Sequence, residues 1–407
     1  MTHSKQHKAQ LPNGLQVLGE TSGENKSCAI GFFVNTGSRD ETPSEAGLSH
    51  FLEHMMFKGT KNRSALDVTY ELGNIGAQAN AYTSDENTVY YAAVIPEYFT
   101  QMGDLLSDML RPSLEAEEFN TEKNVILEEI ALYQDRPHFY LFENALEHFF
   151  SSHPSGNSVL GTTASVSALT RDQMVDYFDR RYSPSNMTLV ATGNYDWDLF
   201  VEQAHRCCGE WVNTPATRQV ERFVPTTRSK RFTKSNITQS HVVLICDGAS
   251  AQDDCRYEHT VLSMILGDVT GSRLYWSLVD TGIAESAGAD NDSKDGTGCF
   301  MAYASCQPED LEQVVDVLRQ TLEAPLDFTE KDLEQAKNKL LSRMVLEGEM
   351  PIGRLMSLGL EWGYRQCLHS LQPEIERVKE VTMQSVRDAL DQRPLSGVCE
   401  YTLELET

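Results

Sequence analysis

Residues 28–56 read CAIGFFVNTGSRDETPSEAGLSHFLEHMM. The opening run, through Thr36, reads as an apolar strand. Gly37 and a polar loop follow, and then a helix. The same plan recurs downstream: 241–247 (HVVLICD), Gly248, a polar loop, and the helix TVLSMILG. Aligning Gly37 with Gly248 sets Val261, Met264 and Ile265 opposite His50, Glu53 and His54. Later, 88–95 (TVYYAAVI) resembles 299–306 (CFMAYASC), and the helix from Thr121-Glu122-Lys123 resembles the one from Thr329-Glu330-Lys331. Strands and long helices mix without regular βαβ alternation. The expected fold class is α+β: two sheet-plus-helix-layer domains related by an internal repeat, each a sheet with helices packed on one face.

At 407 residues the chain exceeds one ordinary domain. The stretches 213–217 (NTPAT) and 225–230 (PTTRSK) are polar and turn-rich, as a linker should be. The expected organisation is an N-terminal domain over 1–215, a linker over 216–235 and a C-terminal domain over 236–407. A formal net charge of −26 argues against nucleic acid and anionic membranes as partners. No stretch approaches the roughly 18 apolar residues of a membrane span. Met1 to Gln10 is polar, without the apolar core of a secretory signal. The nine cysteines form no C-x-x-C pair, and Cys207 and Cys208 are adjacent. Free thiols packed in a core, in a reducing cytosol, are the expectation.

The first helix carries the chemistry. His50 and His54 are four apart, so both imidazoles lie on one helix face and can reach one metal ion. Glu53 sits between them, close enough to handle the proton of an attacking water. H-x-x-E-H inverts the commoner H-E-x-x-H pattern of zinc proteases, and it points to metal-assisted hydrolysis. The helix is expected to start near Thr42 or Ser44, with Pro43 in its first turn and Gly59 as its stop. In the second copy an apolar residue replaces each member of the motif, so one half is expected to be catalytic and the other to shape the site's surroundings.

Catalytic zinc typically takes three protein ligands and a water. The missing ligand should be acidic and on a second helix. Segment 117–135 (EEFNTEKNVILEEIALYQD) fits, with an imperfect apolar stripe of Val125, Leu127, Ile130, Ala131 and Leu132. It offers Glu122, Glu128 and Glu129. Glu122 and Glu129 are seven apart and share a face. Spacing alone does not choose among the three.

Five stretches together resemble the pitrilysin/insulysin family of zinc peptidases, in particular its short bacterial members of the mitochondrial processing peptidase β-subunit type. They are GLSHFLEHMMFKGT (47–60), NAYTSDENTVYYAAV (80–94), EKNVILEEI (122–130), GTTASVSAL (161–169) and RYSPSNMTLVATGN (181–194). The resemblance implies that His50, His54 and Glu129 hold one Zn2+ per chain, that Glu53 is the general base and that Glu122 supports a ligand. It also implies an edge strand after Asn80, where Asn80, Ala81 and Tyr82 hold an extended peptide. Such strand addition reads main chain and gives loose sequence selectivity.

The second half departs from the family pattern. Gly271-Ser272-Arg273-Leu274-Tyr275 matches, but the Arg and Tyr that active members use on the reacting peptide fall here on Val279 and, allowing one deletion, on Glu285. Two readings follow. One is a cytoplasmic zinc endopeptidase that cuts unfolded peptides in a chamber enclosed by a homodimer or by a related partner chain. The other is a zinc-binding, weakly active subunit whose partner supplies the missing Arg and Tyr.

Overall fold

The computed structural model describes residues 4–406. Eleven strands form two sheets: β1 (Lys5–Gln10), β2 (Gln16–Thr21), β3 (Cys28–Val34), β4 (Gln78–Thr83), β5 (Thr88–Val94) and β6 (Met187–Gly193) in the first, and β7 (Lys230–Lys234), β8 (Ser240–Asp247), β9 (Ala284–Ser293), β10 (Gly298–Cys306) and β11 (Cys399–Leu405) in the second. Their orders are β1-β2-β6-β3-β5-β4 and β7-β11-β8-β10-β9. In each sheet one pair is parallel, β2 with β6 and β7 with β11, and the other pairings are antiparallel. From β2 or β7 onward the two orders match place for place, so the repeat in the sequence is a repeat in topology. The α+β expectation holds.

Six helices matter here: α1 (Leu48–Met55), α2 (Ala116–Gln134), α3 (Pro137–Phe150), α4 (Arg256–Gly267), α5 (Glu330–Gly348) and α6 (Pro351–Arg365). The long helices α2 and α5 have 19 residues each, and each is followed after two residues by a helix that opens on proline. Counting from these starts pairs Glu122 with Ala336 and Glu129 with Arg343. In this register the two Thr-Glu-Lys triplets stand six residues out of step. The buried stripe of α2 is also different from the expected one. It comprises Phe119, Glu122, Ile126 and Ile130, while Val125 and Leu132 are exposed.

The chain forms two compact units. The first gathers the chain up to Ala131, Asn157–Gln219 and Leu346–Leu371. The second gathers Leu132–Gly156, Val220–Val345 and the chain from Gln372. The expected linker 216–235 contains β7 of the second sheet, and a division ahead of β7 separates the two sheets but not their helices. Helix α6, late in sequence, packs on the first sheet through Leu355, Leu358 and Trp362 against Leu18, Ala29, Phe33, Val89 and Val190. Helix α3, early in sequence, packs on the second sheet against Val243, Ile245, Met301 and Tyr401. The sheets are therefore covered on both faces, not on one as expected, because alternate residues of their strands are apolar on each side. Val243 and Ile245 face α3, while Val242, Leu244 and Cys246 face the cluster that holds Val261, Met264 and Ile265 of α4.

Within the first unit, α6 lies close to β3. A Cβ built on Gly359 would fall 2.3 Å from the Phe33 ring. Arg354 of α6 makes a bidentate ion pair with Glu20 of β2, at 3.0 and 2.8 Å, and both side chains are buried. All nine cysteines are free, and seven are buried, in keeping with a packing role. No helix among the described residues is long and apolar enough to cross a membrane.

Candidate metal centre

Helix α1 starts later than its sequence signals suggest. Pro43 opens a separate single turn (Pro43–Glu45) capped by Thr42, and α1 begins at Leu48. Gly47 separates the two, with φ +91, a left-handed conformation that side chains with a Cβ rarely adopt. A Cβ there would also sit 2.6 Å from the Leu160 carbonyl oxygen. Glu41 holds the start of the helix: its carboxylate oxygens accept from Gly47 N–H at 2.8 Å and Ser49 N–H at 2.6 Å. These satisfy two of the amides left unpaired at a helix N-terminus. Burial pushes the Glu41 carboxyl up to about 8, against the lowering effect of those donors. Beyond the helix, Asp108 accepts from Thr60, Asn62 and Arg63, which fixes the loop that leaves α1.

The two histidines project from α1 toward α2. His50 Nε2 and His54 Nε2 lie 3.8 and 3.6 Å from the same oxygen of Glu129. One ligand atom from each of the three falls within 4.8 Å of the others. These separations are too long for hydrogen bonds. They approach the edge of a tetrahedron built on metal–ligand bonds of about 2.0–2.1 Å, which is roughly 3.4 Å. Burial first, then the neighbouring His54, lowers the His50 imidazole to about 3, so its nitrogen lone pair is free for a cation at neutral pH. Two imidazoles and one carboxylate are the donor chemistry zinc accepts, and the residues fit the ion.

Around this triad the other acids divide. Glu122 is buried on the inner stripe of α2 and accepts from His54 Nδ1 at 2.9 Å. Its second oxygen meets Lys58 Nζ at 2.5 Å. Glu128 is exposed and joins no part of the cluster. Glu53 is partly buried, and burial raises its carboxyl above the usual range. Its Oε2 accepts from the Thr83 hydroxyl at 2.6 Å.

Thr83 ends β4, the edge strand of the first sheet, and α1 packs beside this strand. Asn80 is exposed on the same strand, and its side-chain oxygen accepts from the Ala81 N–H at 2.9 Å. The Tyr82 ring packs with the cluster that contains Trp362, so what Tyr82 offers a ligand is main chain. Sequence reasoning missed Thr83, Lys58 and Glu41. Each lies inside or beside a stretch already singled out, but only the folded contacts give them partners.

In the second unit, Val279 packs on the apolar core and Glu285 sits on β9, where it accepts from Gln239. Neither side chain offers a guanidinium or a phenol. Arg273 donates to the Ala324 carbonyl at 2.7 Å and lies 3.8 Å from Asp327.

Comparison with known proteins agrees with this geometry. Residues 16–163 match the profile of Insulinase (Peptidase family M16), and residues 168–340 match that of the Peptidase M16 inactive domain. An uncharacterised zinc protease of Streptomyces coelicolor is 31% identical over 96% of this chain and 88% of its own length. One of Bacillus subtilis is 31% identical over 84% of this chain and 83% of its own. The crystal structure of a protease from Helicobacter pylori shares the fold, with a TM-score of 0.90 at 19% identity, covering 98% of this chain and 99% of that one. The family and the names of these relatives support a zinc metallopeptidase. With both halves matched in order and the His-His-Glu donor set in the first, the chain belongs to the M16, insulinase-type, family of peptidases.

Proposed function

We propose that this chain is a zinc-dependent endopeptidase that hydrolyses extended or unfolded peptides, in a chamber enclosed with a second copy or a related chain in the cytoplasm. The observation that carries the reading is the convergence of His50, His54 and Glu129 beside Glu53, whose carboxylate is tied to an edge strand by Thr83. Zinc held by those three donors supplies Lewis acidity toward a water and a peptide carbonyl. Glu53, with one oxygen on Thr83, uses the other to take the water's proton and pass it to the leaving amine. Glu122 orients the His54 imidazole. The peptide adds as a strand along β4, beside Asn80 and Ala81, so folded proteins are poor substrates.

A second reading has its own support in Val279 and Glu285. Without the family's Arg and Tyr, the chain lacks donors to the reacting carbonyl, and one such donor is worth about 10²–10³ in rate. In that reading a partner chain supplies them. Zinc content and cleavage of a quenched fluorescent peptide, measured for the wild type and Glu53→Gln, separate the two. The endopeptidase reading expects zinc in both proteins and a rate lower by about 10²–10⁴ in Glu53→Gln. A wild type that holds zinc but cuts no faster than Glu53→Gln ends the stand-alone reading and leaves the partner-dependent one.

A further inference from the structure

We infer that Lys58 is a positioning residue of the metal centre, acting on His54 through Glu122. The inference rests on the zinc-site reading above. Three groups stand in line: Lys58 Nζ is 2.5 Å from Glu122 Oε2, and Glu122 Oε1 is 2.9 Å from His54 Nδ1. The Glu122 side chain is 5% exposed, so water does little to hold it. A carboxylate in that setting keeps one orientation only when both oxygens have partners. His54 occupies one and Lys58 the other. Fixed this way, Glu122 accepts the Nδ1 proton of His54 and leaves the Nε2 lone pair aimed at the donor set.

The arrangement is one-sided, which gives Lys58 its weight. His50 Nδ1 is buried with no hydrogen-bond partner, so only one of the two imidazoles is oriented by a carboxylate. Lys58 is itself well anchored. It lies in the turn after α1, its N–H donates to the Met55 carbonyl at 3.1 Å, and Gly59 with φ +104 follows it. Two roles for the ammonium predict opposite signs. A cation near a cation site weakens metal binding by repulsion, and its removal tightens zinc. A cation that holds the orienting carboxylate strengthens binding, and its removal loosens zinc.

The test is zinc affinity of the full chain, measured by competition with a chromogenic chelator, for the wild type, Lys58→Met, Lys58→Arg, Glu122→Gln and Lys58→Met/Glu122→Gln. This readout does not depend on turnover. We expect Lys58→Met to raise the zinc Kd about tenfold, the lower end of what orienting partners contribute. Lys58→Arg keeps a donor and stays near the wild type. Lys58→Met adds nothing once Glu122 is Gln, because the two act as one unit. An unchanged or lower Kd in Lys58→Met overturns the inference and leaves the zinc site standing. So does an equal loss in the wild-type and Glu122→Gln backgrounds. A wild-type chain that takes up no zinc overturns both. Melts of the metal-free proteins check folding, and Lys58→Leu, which also lacks a donor, replaces Lys58→Met if the latter does not fold.

Discussion

A fragment cut at the linker that the sequence suggests, residues 1–235, should fail to fold stably, although it contains His50, Glu53, His54, Glu122 and Glu129. It lacks α6, which covers one face of the first sheet. Leu355, Leu358 and Trp362 are 0, 2 and 4% exposed in the intact chain. At about 1.5–3 kcal/mol for each fully buried side chain, their loss removes roughly 5–9 kcal/mol. Glu20 also loses its bidentate partner Arg354 and is opened to water. The apolar loss alone is a large share of a domain's net stability of about 5–15 kcal/mol. The fragment also carries α3 without the sheet α3 packs on, which exposes Leu141, Phe149 and Phe150. The assay is urea unfolding followed by circular dichroism, together with zinc uptake. It compares the fragment alone, the fragment with a peptide spanning 346–371, and the intact chain. The expected result is a broad or absent transition for the fragment and partial recovery with the peptide. A fragment that alone unfolds cooperatively at the midpoint of the intact chain, and takes up zinc equally, would refute this reasoning.

Two further outcomes follow from particular contacts. Arg354→Met should destabilise the intact chain by about 3–5 kcal/mol in urea melts, and Glu20→Leu/Arg354→Met should recover most of the loss by removing the stranded carboxylate as well. A single variant as stable as the wild type would show that the pair does not anchor α6. Thr83→Val should lower kcat about tenfold with KM and zinc content near the wild type, since a hydrogen bond to a charged group is worth about 1.5–3 kcal/mol and this one orients the base. Thr83→Ser should restore kcat. Equal rates for Val and Ser would show that the hydroxyl does not position Glu53.

Much of the site was legible because its signals are local. The spacing of His50 and His54 needs only helix geometry, and the seven-residue step from Glu122 to Glu129 needs only the same period. The first pair lies on a helix of eight residues and the second on one of 19. The start of α1 was misread because Thr42 and Pro43 are genuine capping signals, but they serve a separate turn that Gly47 ends. The stripe on α2 was misread because its inner face includes Glu122, a buried acid that no hydrophobic pattern reveals. Its burial depends on Lys58 and His54, which reach it from another helix and its following turn.

The sequence by itself determined four core strands and the one-face spacing of His50 and His54, because these depend on residues a few positions apart, while Glu129 as third donor came only with the family resemblance. The tertiary structure alone decided which helix covers which sheet and which groups hold the donors in place. Helix α6 is coded after the second sheet's core strands but buries its apolar face on the first, and α3 does the reverse. An amphipathic helix records in its sequence that it must be covered, not by what. Likewise Thr83 on Glu53 and Lys58 on Glu122 are hydrogen bonds that exist only once β4, α1 and α2 are brought together.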